Sequence, residues 1–365
     1  MRNGAAVEAR AAAASGLFFG HPLLDMVGVA SEGYLASYGI RRDSVELAKP
    51  EQMPVFSALL ASETTVYHAG GAAMNTARTM KWLCPEIQAC VVGGIGSDAF
   101  CGILKGTLDA AGLECLFEVH EEIPTGTCAS LVVQKERAML ANLGAATQLS
   151  LEHMKSLEMQ RAITRANLFY MEGFFLNTVS SPDNILLVAE HACREDKLFC
   201  FNLNAPYISE AFGDRVQLLL PYTDILFGCK DDFLALGAVM WGDEVGDCIK
   251  EILMRLACLP KKNASRPCLV VCTCGAENTF AASKNGVSVY AVPEVDYACI
   301  VDATGAGDAF AGGFLAQYIS HPNVDLCVEA GHASAAVVLR HWGASFSGPP
   351  PRIRTPGKNT REWIE

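Results

Sequence analysis

The 365-residue chain contains no G-x-x-x-x-G-K-[ST] loop and none of the protein-kinase signature set, so it lacks both of those phosphate grips. No His-Glu-x-x-His pair occurs and the eight histidines stand apart, which leaves each with a core or surface role by default. There is also no block of basic residues, and the formal charge is −12. That balance argues against a nucleic-acid backbone or a membrane surface as partner, although it is compatible with one local basic pocket for a nucleotide. No apolar stretch approaches the roughly 18 residues that a membrane-spanning helix requires. Fifteen cysteines are present, but they are odd in number, scattered and never spaced Cys-x-x-Cys. They read as free thiols in a reducing, cytoplasmic compartment. Internal repeats and low-complexity linkers are missing as well.

What remains is an ordinary globular composition, 51% hydrophobic and 19% charged, long enough for one large α/β domain with an appendage. Residues 1–16, rich in alanine, read as a flexible tail, because Glu8 interrupts the acid-poor composition of a transit segment. Residues 347–365, rich in proline and charge, read as a second tail outside the core.

The most informative stretch is Val301-Asp302-Ala303-Thr304-Gly305-Ala306-Gly307-Asp308-Ala309-Phe310. It reads as a glycine turn that empties into a helix with an acid at the junction. Glycines there let backbone N–H groups approach an anion, and the start of a helix adds partial positive charge. Asp308 beside them can take a proton from an attacking hydroxyl while the amides stabilise negative charge. The same residues also fit an ordinary helix start, with Asp308 capping free N–H groups.

Taken in order, Leu17-Phe18-Phe19-Gly20 is a short strand that opens into His21-Pro22-Leu23-Leu24-Asp25. An acid at a strand's carboxyl end can hold sugar hydroxyls, and it can equally be a solvated turn residue. Gly70 and Gly71 precede a helix of small residues carrying Asn75. Close helix packing explains the alanines there but not the amide. The run Gly94-Ile95-Gly96-Ser97-Asp98-Ala99 matches a dinucleotide fingerprint. That reading leaves only Glu118 or Glu121 as the ribose acid and explains neither of the other glycine stretches. Residues 115–146, with Lys135-Glu136-Arg137 as a hairpin turn, read as antiparallel ribbons. With residues 29–69 they are expected to form a small β-rich lid, and lids keep water from a reactive phosphate. From residue 150 onward helices and strands alternate, which predicts a doubly wound, mostly parallel sheet. The large domain is accordingly expected over 17–28, 70–114 and 147–346.

Several of these stretches, read together, resemble the ribokinase (carbohydrate and nucleoside kinase) family: Gly70-Gly71 with Asn75, Gly96-Ser97-Asp98-Ala99-Phe100, and the run from Asp302 to Phe310. Pro22-Leu23-Leu24-Asp25, Pro124-Thr125-Gly126-Thr127-Cys128-Ala129, Ala141-Asn142-Leu143-Gly144, Gly173-Phe174-Phe175-Leu176 and Gly331-His332 narrow the resemblance to the nucleoside branch whose acceptor is adenosine. It covers residues 17–346. The resemblance implies transfer of the ATP γ-phosphoryl group to the 5′-hydroxyl of adenosine with Mg²⁺, in a monomer. It implies Asp308 as the general base, Gly305, Ala306 and Gly307 as the anion hole, and Arg137 reaching from the lid. Asp25, Gly70, Gly71 and Asn75 would hold the ribose, and Cys128, Ala141, Phe174 and Tyr207 the base. ATP would lie near Asn202, Thr273, Gly275 and Gly331.

The chain departs from that pattern in places. Where the family usually carries Asn-x-x-Glu for Mg²⁺ and phosphate positioning, it reads Cys229-Lys230-Asp231-Asp232, leaving Asp232 as the metal candidate. His21 replaces an Asn, Ala72 a polar residue and Tyr207 a Phe. Because positioning is most of phosphoryl-transfer chemistry, these departures bear on rate and Mg²⁺ use more than on fold. They motivate two alternatives: a related nucleoside or sugar kinase, and a catalytically weak nucleoside-binding paralogue.

Overall fold

A computed structural model describes residues 14–42, 44–133 and 136–352. Its centre is β1 (Ser15–Phe19), whose Leu17, Phe18 and Phe19 are fully buried and so read as a continuous apolar run. A bend at Gly20 and Pro22 takes the chain out of that sheet into β2 (Leu23–Val29). There follow β3 (Val45–Leu47), β4 (Val66–Gly70), β5 (Gln88–Gly96), β6 (Glu114–His120), β7 (Gly126–Val133) and β8 (Glu136–Asn142). The remaining strands are β9 (Leu168–Glu172), β10 (Leu198–Asn202), β11 (Ile225–Cys229), β12 (Leu269–Thr273), β13 (Asn278–Ser283) and β14 (Gly286–Ala291).

The large sheet runs β14-β13-β12-β11-β10-β9-β1-β5-β6. It is parallel except for the β13–β14 hairpin at one edge. Strand order reverses at β1, which pairs with β9 on one side and β5 on the other. The carboxyl ends of β1, β9, β10, β11 and β12 therefore open onto one crevice, the place where open α/β sheets take their ligands.

The second sheet runs β3-β8-β7-β2-β4. One face, with Met26, Ala129 and Leu140, packs on Leu35, Val55 and Phe56 from the helices Glu32–Ser37 and Met53–Ala61. Side chains alternate along a strand, so Asp25, Cys128 and Ala141 point from the opposite face.

The structure corrects several expectations. The strand read at 116–119 belongs to β6 in the large sheet, because the helix Ala99–Ala110 makes a crossover that lays it parallel to β5. Residues 23–28 leave the large sheet for the small one, since Gly20 and Pro22 interrupt the strand. Ser15 and Gly16, read as tail, pair with β5 and β9. Arg137, read as turn, lies in β8 and pairs with Val132. The small sheet is mixed, not antiparallel throughout: β2 runs parallel to β7, and β3 to β8. Residues 1–13 and 353–365 of the two expected tails, and residues 134–135, lie outside the described residues.

The fingerprint-like glycines after residue 93 serve packing. Asp98 caps the helix Ala99–Ala110 through the Cys101 N–H (3.0 Å) and also accepts from the Thr125 N–H (2.8 Å) and hydroxyl (2.7 Å). A Cβ at Gly96 would run into the backbone around Thr125. The helix start is thus occupied by protein groups.

The helices Ala306–Ser320 and Val324–Val338 approach closely at Gly313, where a Cβ would meet Ser334 and the Ala330 carbonyl. Gly313→Ala is expected to lower stability by about 1–3 kcal/mol through overpacking. Gly102→Ala, on an exposed helix position with open space around it, is expected to raise it by roughly 0.5–1 kcal/mol. Urea unfolding of the two variants checks the pair, and equal effects would contradict the packing argument.

Candidate active site

Gly305 adopts φ 77°, the left-handed conformation that an L side chain resists, and opens the helix Ala306–Ser320 with no side-chain cap. A Cβ there would also collide with Ala344. Asp302 fixes the turn from below. Its carboxylate accepts from the N–H groups of Thr304 (2.9 Å) and Gly343 (2.5 Å), and the Arg137 guanidinium lies 2.5 Å away. The helix start is therefore held in place with its N–H end facing the crevice, as an anion site requires.

Asp308 sits in the first turn of that helix and is half-buried. The Asn75 amide donates to it at 3.0 Å. Burial pushes its carboxyl up to about 6, and the bond from Asn75 works against the rise. A carboxyl so placed is ionised at neutral pH yet close enough to its titration to accept a proton. Asn75 reaches this position because Gly71, at φ 97°, turns β4 into the helix Ala72–Leu83. A Cβ on Gly71 would meet the His21 carbonyl.

Asp25, Cys128 and Ala141 lie side by side across β2, β7 and β8 in the strand register. Asp25 is buried, and its carboxyl is pushed up to about 7, by burial first, with Arg137 and Arg78 opposing and Asp308 and Asp302 adding. Gly70 leaves the space that this carboxylate occupies. Phe174 and Tyr207 stack with centroids 6.1 Å apart.

A cleft of about 140 Å³ opens at the ends of β10, β11 and β12 and is bounded by Asp308 and Gly307. Asn202 and Thr273 line it, although the Asn202 amide is turned toward the Tyr170 hydroxyl at 2.9 Å. Gly275 has a left-handed φ of 59° with open space beside it. Gly331 is a packing position, where a Cβ would come within 2.7 Å of the Phe310 ring. Arg137 is drawn to Asp302 and to Ser130 (2.6 Å), with its guanidinium 5.5 Å from the centre of the Trp342 ring.

Asp232 is buried and caps its own helix, Lys230–Trp241: Oδ2 accepts the Cys229 N–H at 2.7 Å. Its Oδ1 is buried without a hydrogen-bond partner, and the residue lines the cleft. Among the described residues no group of three or more His, Cys, Asp or Glu could hold a metal ion. Mg²⁺, however, commonly rests on substrate phosphates with one or two carboxylates, so a lone carboxylate oxygen at the cleft fits it.

Sequence reasoning missed Glu172. It ends β9 fully buried, accepting the N–H groups of His21 and Ala73, each at 2.6 Å. It thereby ties the β1–β2 bend to the helix that carries Asn75. Burial pushes its carboxyl up to about 8. An acid directly after the apolar Leu168-Phe169-Tyr170-Met171 was the available signal. Asn204, at φ 63°, lines the cleft and accepts from the Gly173 N–H, and nothing in its surroundings in sequence marks it.

The model of the pfkB family carbohydrate kinases matches residues 34–351. The chain is 34% identical to the adenosine kinase of Dictyostelium discoideum, over 92% of this chain and 97% of that one. Among solved structures, Anopheles gambiae adenosine kinase in complex with P1,P4-di(adenosine-5) tetraphosphate superposes with a TM-score of 0.86 at 31% identity, covering 93% of this chain and 99% of that one. Adenosine kinase from Schistosoma mansoni in complex with 2-fluoroadenosine gives 0.86 at 30% identity, covering 93% and 98%.

The raised Asp25 carboxyl makes stability depend on pH. Its folded value, about 7, lies above the ordinary aspartate value, so the folded chain binds the proton more tightly than the unfolded chain. Stability from this group is therefore full below about pH 4 and is lost as pH rises through about 7. Between those values each tenfold fall in proton concentration costs about 1.4 kcal/mol. Asp25→Asn needs no ionisation and is expected to be more stable than wild type at pH 8 by a few kcal/mol. The difference should vanish near pH 4. Urea titrations of the ligand-free proteins at both pH values check this.

Proposed function

The chain belongs to the pfkB family carbohydrate kinases, and within it we propose an adenosine kinase, which transfers the ATP γ-phosphoryl group to the 5′-hydroxyl of adenosine. The observation that carries the reading is Asp308: a carboxylate oriented by the Asn75 amide, beside an uncapped helix start at the cleft. Asp308 takes the proton of the attacking hydroxyl. The amides of Gly305, Ala306 and Gly307 meet the charge on the transferred group, where donors already in position are worth most. Arg137, held at the turn by Asp302, adds its positive charge from the small sheet.

In the same reading the row of Asp25, Cys128 and Ala141, with Gly70 and Gly71, faces the nucleoside, and Phe174 and Tyr207 flank its base. Asn75 both orients the base catalyst and borders the ribose. ATP lies along Asn202, Thr273 and Gly275, with Gly331 behind it in the packing of the last two helices. Mg²⁺ would be held by the nucleotide phosphates and the free oxygen of Asp232, where it neutralises phosphate charge. The enzyme works as a cytoplasmic monomer. Among the described residues no helix is long and apolar enough to cross a membrane.

Cys229 and Asp232 favour a second reading, a nucleoside-binding paralogue with weak turnover. Both readings are tested with purified protein, Mg-ATP and adenosine, AMP and ADP being separated chromatographically. Asp308→Ala is expected to lower kcat by about 10²–10⁴ while adenosine binding, followed by calorimetry, persists. Wild-type kcat should fall as pH drops below about 6, where the Asp308 carboxylate takes up its proton. Adenosine bound without any ADP over a panel of nucleosides and sugars would sink the enzyme reading. A large gain in rate on installing Cys229→Asn with Asp232→Glu would show that this corner of the cleft limits turnover.

A further inference from the structure

Arg78 has no role in the reading so far. It lies one turn beyond Asn75 on the helix Ala72–Leu83, largely buried, with its guanidinium 5.5 Å from the centre of the Phe346 ring. Phe346 in turn stacks on Trp82 at 4.7 Å, so the cation is held from below by an aromatic pair. Its Nη1 faces three acceptors: the Ala344 carbonyl at 3.0 Å, the Ala69 carbonyl at 3.3 Å and the Asn75 side-chain oxygen at 3.5 Å.

These acceptors come from the two halves of the site. Ala69 precedes the Gly70-Gly71 turn on the acceptor side. Ala344 is the residue against which Gly305 packs on the donor side. Asn75 stands between them and bonds Asp308. An amide has one accepting and one donating end, and a cation beside it decides which way it lies. With its oxygen toward Arg78, the Asn75 amide must offer its N–H to Asp308.

We propose that Arg78 is a positioning residue: held by the carbonyls of Ala69 and Ala344, it fixes the Asn75 amide in the orientation that donates to Asp308. The inference rests on the reading of Asp308 as the base. It concerns a group that touches neither substrate and acts through Asn75.

The groups facing Asp308 set the expected readout. Asp25 comes from β2, Tyr170 and Glu172 from β9, and Asp232 and Cys229 from across the cleft. None of these is a cation. The Asn75 N–H is the group that opposes the raising of the Asp308 carboxyl by burial. If Arg78 is lost and the amide is free to turn, Asp308 should hold its proton to higher pH.

The test uses the full chain with Arg78→Met and Arg78→Lys, each alone and combined with Asn75→Ala. Arg78→Met is expected to lower kcat by about 10- to 100-fold with the KM for ATP within about threefold, and to move the acid limb of the kcat profile up by roughly 0.5–1 in pH. Lysine, a single point charge, should restore part of both. In the Asn75→Ala background, Arg78→Met should change kcat by no more than about twofold, because the route through the amide is already gone. Carbon-13 NMR titration of the Asp308 carboxyl reads the same change without turnover. An inactive wild type would sink the adenosine reading while leaving that titration decisive for Arg78. An unmoved Asp308 midpoint in Arg78→Met, or a full loss persisting in the Asn75→Ala background, would overturn the proposed action through the Asn75 amide. If the Met variant does not fold, the same comparisons are made with Lys, where wild-type kcat and midpoint would overturn it equally.

Discussion

Four carboxylates, those of Asp25, Glu172, Asp302 and Asp308, are packed around the seam between the two sheets, and most of the surrounding structure offsets that concentration of acid. Each is offset differently. Asp302 has two backbone N–H groups and a cation; Glu172 has two backbone N–H groups and no cation. Asp308 has the Asn75 amide as donor, and Asp25 has, among the described residues, the field of Arg137 and Arg78. Burying a carboxylate disfavours its charge, and nearby acids add to that. Of the three raised groups, Asp308 is raised least, and it is also the one that solvent still reaches. The burial gradient thus raises the Asp308 carboxyl less than its more deeply buried neighbours.

The glycines share in this arrangement. Gly70 and Gly20 are not turn residues by need of conformation; their missing Cβ atoms are the space that the Asp25 and Glu172 carboxylates fill. Gly71 and Gly305 are different, since both require positive φ, and each launches a helix that carries one partner of the Asn75–Asp308 bond. Backbone conformation therefore sets where the two helices start. The side chains one turn in then set the chemistry.

How much of this could be read in advance follows the distance over which each feature is decided. The turn at Gly305, its helix and the alternation after residue 150 are local, so residue type and periodicity carry them. The placement of β6 is not local. A short apolar strand says nothing about which sheet it joins, and the crossover helix before it was the better guide. The row of Asp25, Cys128 and Ala141 is a matter of strand register, invisible in composition even though each residue was named individually. Glu172 and Arg78 escaped because their work is done on backbone groups: Glu172 on the N–H groups of His21 and Ala73, Arg78 on the carbonyls of Ala69 and Ala344. No motif spaces residues for such contacts.

The corner at residues 229–232 shows what a small substitution does to charge placement. The Asp232 side chain folds back to accept the Cys229 N–H, and the Cys229 thiol accepts in return, closing a capping box. The helix gains a satisfied N-terminus, and one carboxylate oxygen is withdrawn from the cleft to achieve it. Only Oδ1 is left to face a ligand there, and the thiol beside it is a weak hydrogen-bonding group where an amide would be a strong one. Gly307 and Asp308, in the helix start after Gly305, also line this cleft. Asp302, already satisfied by two N–H groups, holds the Arg137 guanidinium at the turn before that helix. The small sheet is thereby tied, through one buried ion pair, to the turn that starts the helix Ala306–Ser320.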